Sequence, residues 1–317
     1  MPQPKIAGVL FGSPSSGSFV DAGVQAFERA VDQLGADVQL HWFDRADQQW
    51  RLNYLRTLAA SGPALIVLHG AQGEALVQAL AAGYPQVQFS VSQGDLCAPN
   101  VSSHEVLLEQ PAFLAGMLAG WATRSGVVGH LSGERVRAGL KGRAAFAAGL
   151  RHAAPHVHFC SSFCGLQHDP ELAARCVVAQ RDAGADIIFT MLGAGRTGAI
   201  RICRERGTRQ IGDGIDWCAT DPDVFLASAV ADSGWGSFRA IEALLDGQLT
   251  QGRRETVGLE NPAICRLATA PDVSPEMIKQ LDVMAADILR GAVEIAADWD
   301  GVEFGRHATS VVAEQNR

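Results

Sequence analysis

Asp213 and Asp216 stand beside Trp217 in "IGDGIDWCATDPDVF", at the end of an apolar run. Paired carboxylates could serve as acid and base, but no nucleophile or metal partner accompanies them nearby. A carboxylate next to an aromatic face also suits a sugar or a base, the chemistry we assign to Asp216 with Trp217. Asp221 and Asp223, flanking Pro222, read as turn formers. Upstream, "TMLGAGRTGAI" holds Gly193, Gly195 and Gly198 as G-x-G-x-x-G between a strand and a helix, with Asp213 about twenty residues on, as in a dinucleotide fingerprint. Such glycines let backbone amides approach a pyrophosphate, or any other polar ligand, at a helix N-terminus. A third loop, in "GVLFGSPSSGSFVDAG", offers Gly12, Gly17, Ser15, Ser16 and Ser18 for tight turns, capping or donation. Phe19 there is either a hydrophobic staple or, facing a ligand, a stacking platform. His69 in "LHGAQ" and His130 in "GHLSG" end strands without triad partners and read as hydrogen-bonding or structural groups.

These loops need a scaffold. Short apolar runs alternate with amphipathic stretches: "KIAGVLF", 20–33, "DVQLHWF", 46–60, "ALIVLHG", 73–83, "VQFSVSQ" and a helix over 105–122. The rhythm restarts at "GVVGHLSG" and runs through 139–153, "HVHFCSSF", 170–183, "DIIFTML", 196–206, "RQIGDG" and "VFLASAVAD". Continuous apolar strands separated by helices predict parallel sheets covered on both faces. We therefore expect an α/β protein of two doubly wound parallel-sheet lobes joined by hinge crossovers, with a first boundary near Arg124–Gly126. A helix at 234–247, a strand "ICRLAT" and a helix at 274–294 follow the second unit. The chain is thus expected to cross back, giving lobe 1 as 1–123 plus 233–265 and lobe 2 as 124–232 plus 266–317. A cleft between the lobes is the default ligand site, since loops at the carboxyl ends of the strands face it.

Composition narrows the function. The 317 residues carry a formal net charge of −8 with no clustered basic stretch, which argues against nucleic acid as a partner. No apolar run approaches the roughly 20 residues of a membrane span. The start "MPQPKIAGVL" lacks the regions of a signal peptide, so a cytoplasmic protein and a mature form with its export signal removed are both open readings. Seven cysteines without a CxxC pair, among them Cys160 and Cys164 at a spacing that lacks a second half for zinc, are expected to be buried free thiols with no metal.

With these residues placed, the chain resembles, across nearly its whole length, the basic membrane protein family of ABC-transporter substrate-binding proteins. Four segments carry the resemblance: "GSF" at 17–19, "EQPAFLAGMLAGWATRSGVVGHLSG" at 109–133, "GADIIFTMLGAGRTGAI" and "IGDGIDW". It implies a type I periplasmic-binding-protein fold with two lobes and three crossovers, and a cleft that takes purine nucleosides or related small molecules. Carried over by position, Phe19 would stack on the base, Gly193 would approach the ligand through its backbone and Asp216 would accept ribose hydroxyls. Ser18 and Phe163 join that ligand-binding set. The chain departs from the family at four polar positions: Val20 replaces a frequent Asn, Gly12 an acidic residue, Ser92–Gln93 an Asp, and Ala231 a Lys. A hydrogen bond is worth about 0.5–1.5 kcal/mol net, so several such losses shift specificity. Gln72, Gln93 and Trp217 are the substitute contacts.

The expected protein is a non-enzymatic, monomeric solute-binding protein without a cofactor. It binds a nucleoside or nucleobase-like ligand, presents it to an ABC permease, and works in the periplasm or otherwise outside the cytoplasm. The alternatives are a cytoplasmic ligand sensor of the same fold and an NAD-dependent enzyme using Gly193–Gly198.

Overall fold

The computed structural model describes residues 3–12, 18–249 and 251–305. From the amino end the chain builds β1 (Lys5–Phe11), α1 (Ser18–Leu34), β2 (Asp37–Phe43), α2 (Gln48–Ala60), β3 (Leu65–His69), α3 (Glu74–Leu80), β4 (Gln88–Ser92) and β5 (Val101–Val106). It then forms α4 (Glu109–Ala122), β6 (Val127–Ser132), α5 (Arg137–Ala153), β7 (His158–Phe163), α6 (Pro170–Asp182), β8 (Ile187–Met191), α7 (Arg196–Arg206), β9 (Arg209–Gly214) and β10 (Phe225–Ala231). Last come α8 (Trp235–Leu245), β11 (Arg254–Val257), β12 (Cys265–Thr269) and α9 (Pro275–Leu289).

The chain divides into two compact units, Met1–Val106 with Asp232–Val257 and Leu107–Ala231 with Gly258–Arg317, so it passes between them three times. The first holds a sheet in the order β11-β5-β4-β3-β1-β2 and the second a sheet in the order β12-β10-β9-β8-β6-β7. Every neighbouring pair runs parallel except β10 with β12. The central strands are buried along their whole length, as in "LIVLH" of β3 and "IIFTM" of β8, which is why they read as unbroken apolar runs. Helix starts follow local chemistry. The Asp47 side chain accepts from the amides of Gln49 and Trp50 at α2, and Asp169 accepts from Leu172 at α6, where Pro170 occupies the first turn.

Two expectations change. The helix expected over 105–122 begins at Glu109, because Glu105 and Val106 end a strand that the apolar pattern did not show: β5, "VSSHEV", is buried although Ser102, Ser103, His104 and Glu105 are polar. A strand whose sides are polar carries no apolar run to announce it. The divisions also differ, because α4 and residues 258–265 belong to the second unit and not the first. The reason for α4 is the depth of its packing on α5. A Cβ on Gly116 would fall on the Phe146 carbonyl, and one on Gly149 would fall on the Phe113 carbonyl, so the two backbones touch where side chains are missing.

Candidate functional site

In the first unit the loops at the carboxyl ends of β1, β3 and β4 meet around His69. Its ring is 1% exposed, and burial lowers its pKa to about 4, so it is neutral. Nε2 donates to the Phe19 carbonyl at 2.9 Å, which leaves Nδ1 to accept from the hydroxyls of Ser237 at 3.0 Å and Ser92 at 3.2 Å. The Phe19 ring lies over the imidazole with centroids 4.4 Å apart and 33° between planes, and is itself only partly buried. Gly70 follows β3 with φ 125°, a conformation open to glycine, and donates its N–H to Ser92 Oγ at 3.0 Å. A Cβ there would fall on the Gln72 side-chain oxygen and lie 3.4 Å from the Phe19 ring. Phe19 and the exposed Gln72 therefore share one patch. Gln93 adjoins it through Ser92, its backbone at φ 60° and its N–H donated to the His104 carbonyl at 2.7 Å. Residues 13–17, including Ser15, Ser16 and Gly17, lie outside the described residues; Ser18 is described only as the first residue of α1.

The second unit is built around charge. Arg196, 2% exposed, pairs with Asp213 and also donates to the Thr190 carbonyl at 3.2 Å, Thr190 Oγ1 at 3.0 Å and the Leu192 carbonyl at 3.1 Å. Burial raises the Asp213 pKa, opposed by Arg196. The Trp217 ring covers this pair: the Arg196 guanidinium lies 4.6 Å from its centroid, its Nε1 donates to the Asp213 carbonyl at 2.9 Å, and its other face stacks on Phe225 at 5.5 Å. Trp217 is thus a lid on a buried ion pair. Asp216, one residue earlier, accepts from the Ala219 amide and from Arg266, each at 3.2 Å. Arg266 stands across from Val230 in the β10/β12 register, beside Ala231, so a cation from β12 reaches the carboxylate in the neighbourhood where a Lys on β10 was expected.

The glycine fingerprint has a local explanation. Gly193 and Gly195 both donate to the Gln167 carbonyl, at 3.1 and 3.2 Å, and the Ala194 amide donates to His168 Nδ1 at 3.3 Å. A Cβ on Gly198 would fall on the Pro170 carbonyl, and one on Gly193 would lie 2.5 Å from His168. These glycines let α7 pack on the start of α6, and the three amides a pyrophosphate would require are already spent. Phe163 stands apart, with β6 and β8 between its strand and β9. Its ring lies under the guanidiniums of Arg135 at 4.8 Å and Arg143 at 5.0 Å, both of which pair with Glu303. Apolar Val136, Leu166 and Ile215 remain exposed on loops after β6, β7 and β9.

Sequence reasoning passed over Arg196, Ser237 and Arg266. Nothing local marks them, because each acts through a partner distant in the chain. Four cysteines, Cys160, Cys203, Cys218 and Cys265, are buried as expected, whereas Cys97 is exposed and Cys164 and Cys176 are partly so. Among the described residues no three His, Cys, Asp or Glu side chains cluster to hold a metal.

Two α/β units linked by three crossings, with polar and aromatic loops at the carboxyl ends of their strands, have the fold of type I periplasmic-binding proteins. The crystal structure of an ABC transporter solute-binding protein from Aeropyrum pernix has a TM-score of 0.80 at 18% identity, covering 98% of this chain and 97% of that one. The family described as Bmp, ABC transporter substrate-binding protein PnrA-like, matches residues 5–298, and the chain belongs to it. Among its relatives, a purine-binding protein of Brucella abortus is 23% identical over 244 residues, 77% of this chain and 69% of the relative. Basic membrane protein A of Borreliella burgdorferi is 21% identical over 311 residues, 95% and 90% of the two chains. Substrate-binding proteins of ABC importers take up a small molecule outside the membrane and hand it to a permease. No described helix of this chain is long and apolar enough to cross a membrane.

Proposed function

We propose that this protein binds a purine nucleoside or nucleobase-like molecule and delivers it to an ABC permease outside the cytoplasmic membrane, as a monomer and without catalysing a reaction. The observation that carries the reading is Phe19, a partly exposed aromatic ring at the carboxyl end of a parallel sheet. A neutral His69 fixes it from behind by ring contact and by a hydrogen bond to its carbonyl. An aromatic platform of this kind holds a base by stacking, worth about 1–3 kcal/mol per base. Gln72 and Gln93, around the same patch, supply donors and acceptors for a base edge in place of the family's Asp. Ser18, at the start of the same helix, belongs to this set.

From the second unit, Asp216 would accept ribose hydroxyls. Arg266 holds that carboxylate in place, so a ribosylated ligand would share Asp216 with Arg266. Gly193, with its N–H given to Gln167, would offer the ligand a close backbone surface rather than a free donor. Trp217 and Phe163 would contribute ring edges, since their faces are covered by Arg196 and Phe225 and by Arg135 and Arg143. The relative named as purine-binding supports the ligand class. A cytoplasmic ligand sensor of the same fold is the second reading, favoured by the exposed free thiol of Cys97. The amides around Gly193 argue against the dinucleotide reading.

The test is a thermal-shift panel of nucleosides, nucleobases, sugars and amino acids, since a ligand of the native state alone raises the melting temperature. Calorimetry with NAD and NADP runs alongside. Shifts with nucleosides or bases and none with dinucleotides are expected; shifts confined to sugars or amino acids would remove the purine reading.

A further inference from the structure

Cys164 directly follows β7, and Cys176 lies within α6, packed against the same apolar cluster as Cys164. Their thiols are hydrogen-bonding neighbours, and both are partly accessible. Between them the chain runs through Gly165–Asp169, the segment whose Gln167 carbonyl accepts from Gly193 and Gly195 and whose His168 accepts from Ala194. The Gln167 side chain also accepts from the Glu134 amide at 3.2 Å. One short loop therefore props the glycine loop after β8 and the turn after β6.

The chemistry of the two sulfurs is asymmetric. The hydrogen bond from Cys176 brings the Cys164 thiol down to about 7, against the burial that opposes it, and the same bond together with burial pushes the Cys176 thiol up. A thiol that titrates near ambient pH is the best attacking group in thiol–disulfide exchange.

We propose that Cys164 and Cys176 are an oxidisable pair whose disulfide clasps residues 165–169 and, through them, the glycine loop at 193–195. The oxidant is a small-molecule disulfide. The Cys164 thiolate attacks one of its sulfurs, the S–S bond breaks and one thiolate leaves. Cys176 then gives up its proton and attacks Cys164 Sγ, expelling the second thiolate. Two protein thiols are oxidised, and one disulfide is reduced to two small thiols. The new bond closes the segment 164–176 into a ring, which restricts its opening.

The full chain is incubated with oxidised glutathione, remaining thiols are alkylated, and the digest is mapped by mass spectrometry. A Cys164–Cys176 cross-link is expected, with amide exchange at 165–169 and 193–195 slowed by about tenfold as local opening is suppressed. In Cys176→Ser a stable glutathione adduct should accumulate on Cys164, and in Cys164→Ser position 176 should take up none. Alkylation of both residues while Cys97 alone carries glutathione would overturn the pair. A cross-link that leaves exchange unchanged would overturn the clasp. Neither readout depends on the identity of the transported ligand.

Discussion

At the ends of β3 and β4 the first unit holds its loops with a neutral group, His69 between the Phe19 carbonyl and the hydroxyls of Ser92 and Ser237. At the ends of β8 and β9 the second unit uses full charges, Arg196 with Asp213 and Arg266 with Asp216. Both devices fasten loops to strand ends, but they respond differently to solution conditions. A neutral buried imidazole resists protonation, whereas a buried guanidinium–carboxylate pair resists losing either partner.

Acid should give the largest effect. His69 and His104 have pKa values lowered by burial to about 4, and His130, in the second unit, to about 3. A base whose pKa falls on folding binds more protons when unfolded, so its stabilisation is present above about 6.5 and drains away as the pH falls toward the native value. The three together should cost on the order of 10 kcal/mol over that descent. Urea midpoints measured stepwise from neutral pH check this. The pair His69→Gln with His104→Gln should flatten the profile more than His130→Gln does. An equal or opposite ranking would break the contrast between the units.

Arg196→Met comes next, with a loss of about 3 kcal/mol because the largely buried Asp213 is left without its cation. Adding Asp213→Asn should restore part of the loss, a non-additivity read by comparing denaturation midpoints of the single and double variants. A fully additive pair would mean that the two side chains stabilise independently.

Phe19→Ala should then weaken a purine ligand by about 1–3 kcal/mol by calorimetry, with Phe19→Tyr close to the parent. A loss of melting temperature without a loss of affinity would make Phe19 a staple over His69. The smallest effect on the free protein should come from Asp216→Asn. Its pair with Arg266 is partly solvated and worth under about 1 kcal/mol to folding. The same change should cost a ribosylated ligand about 1.5–3 kcal/mol and leave its free base nearly untouched, since only the former uses charge-assisted bonds. Equal losses would move Asp216 from the hydroxyls to the base.

The period of the apolar runs was enough to read two parallel α/β units and the ends of most strands, because burial on both faces leaves an unbroken apolar mark in the chain. It also placed Gln72, Gln93, Gly193, Asp216 and Trp217 after strands and Phe19 at the entry of the helix that follows β1. The same signal failed for β5, where Ser102, Ser103 and Glu105 are buried without being apolar. It also misassigned α4, whose membership depends on glycines meeting backbone across two helices. What Gly193, Gly195 and Gly198 accommodate was equally out of reach: the spacing is that of an anion cradle, while the partners are Gln167, His168 and Pro170. Propensity and periodicity act along the chain and so are written in it residue by residue. The pairing of Arg196 with Asp213, of Arg266 with Asp216, and of His69 with Ser237 depends on which strand ends become neighbours, and only the tertiary structure decides that.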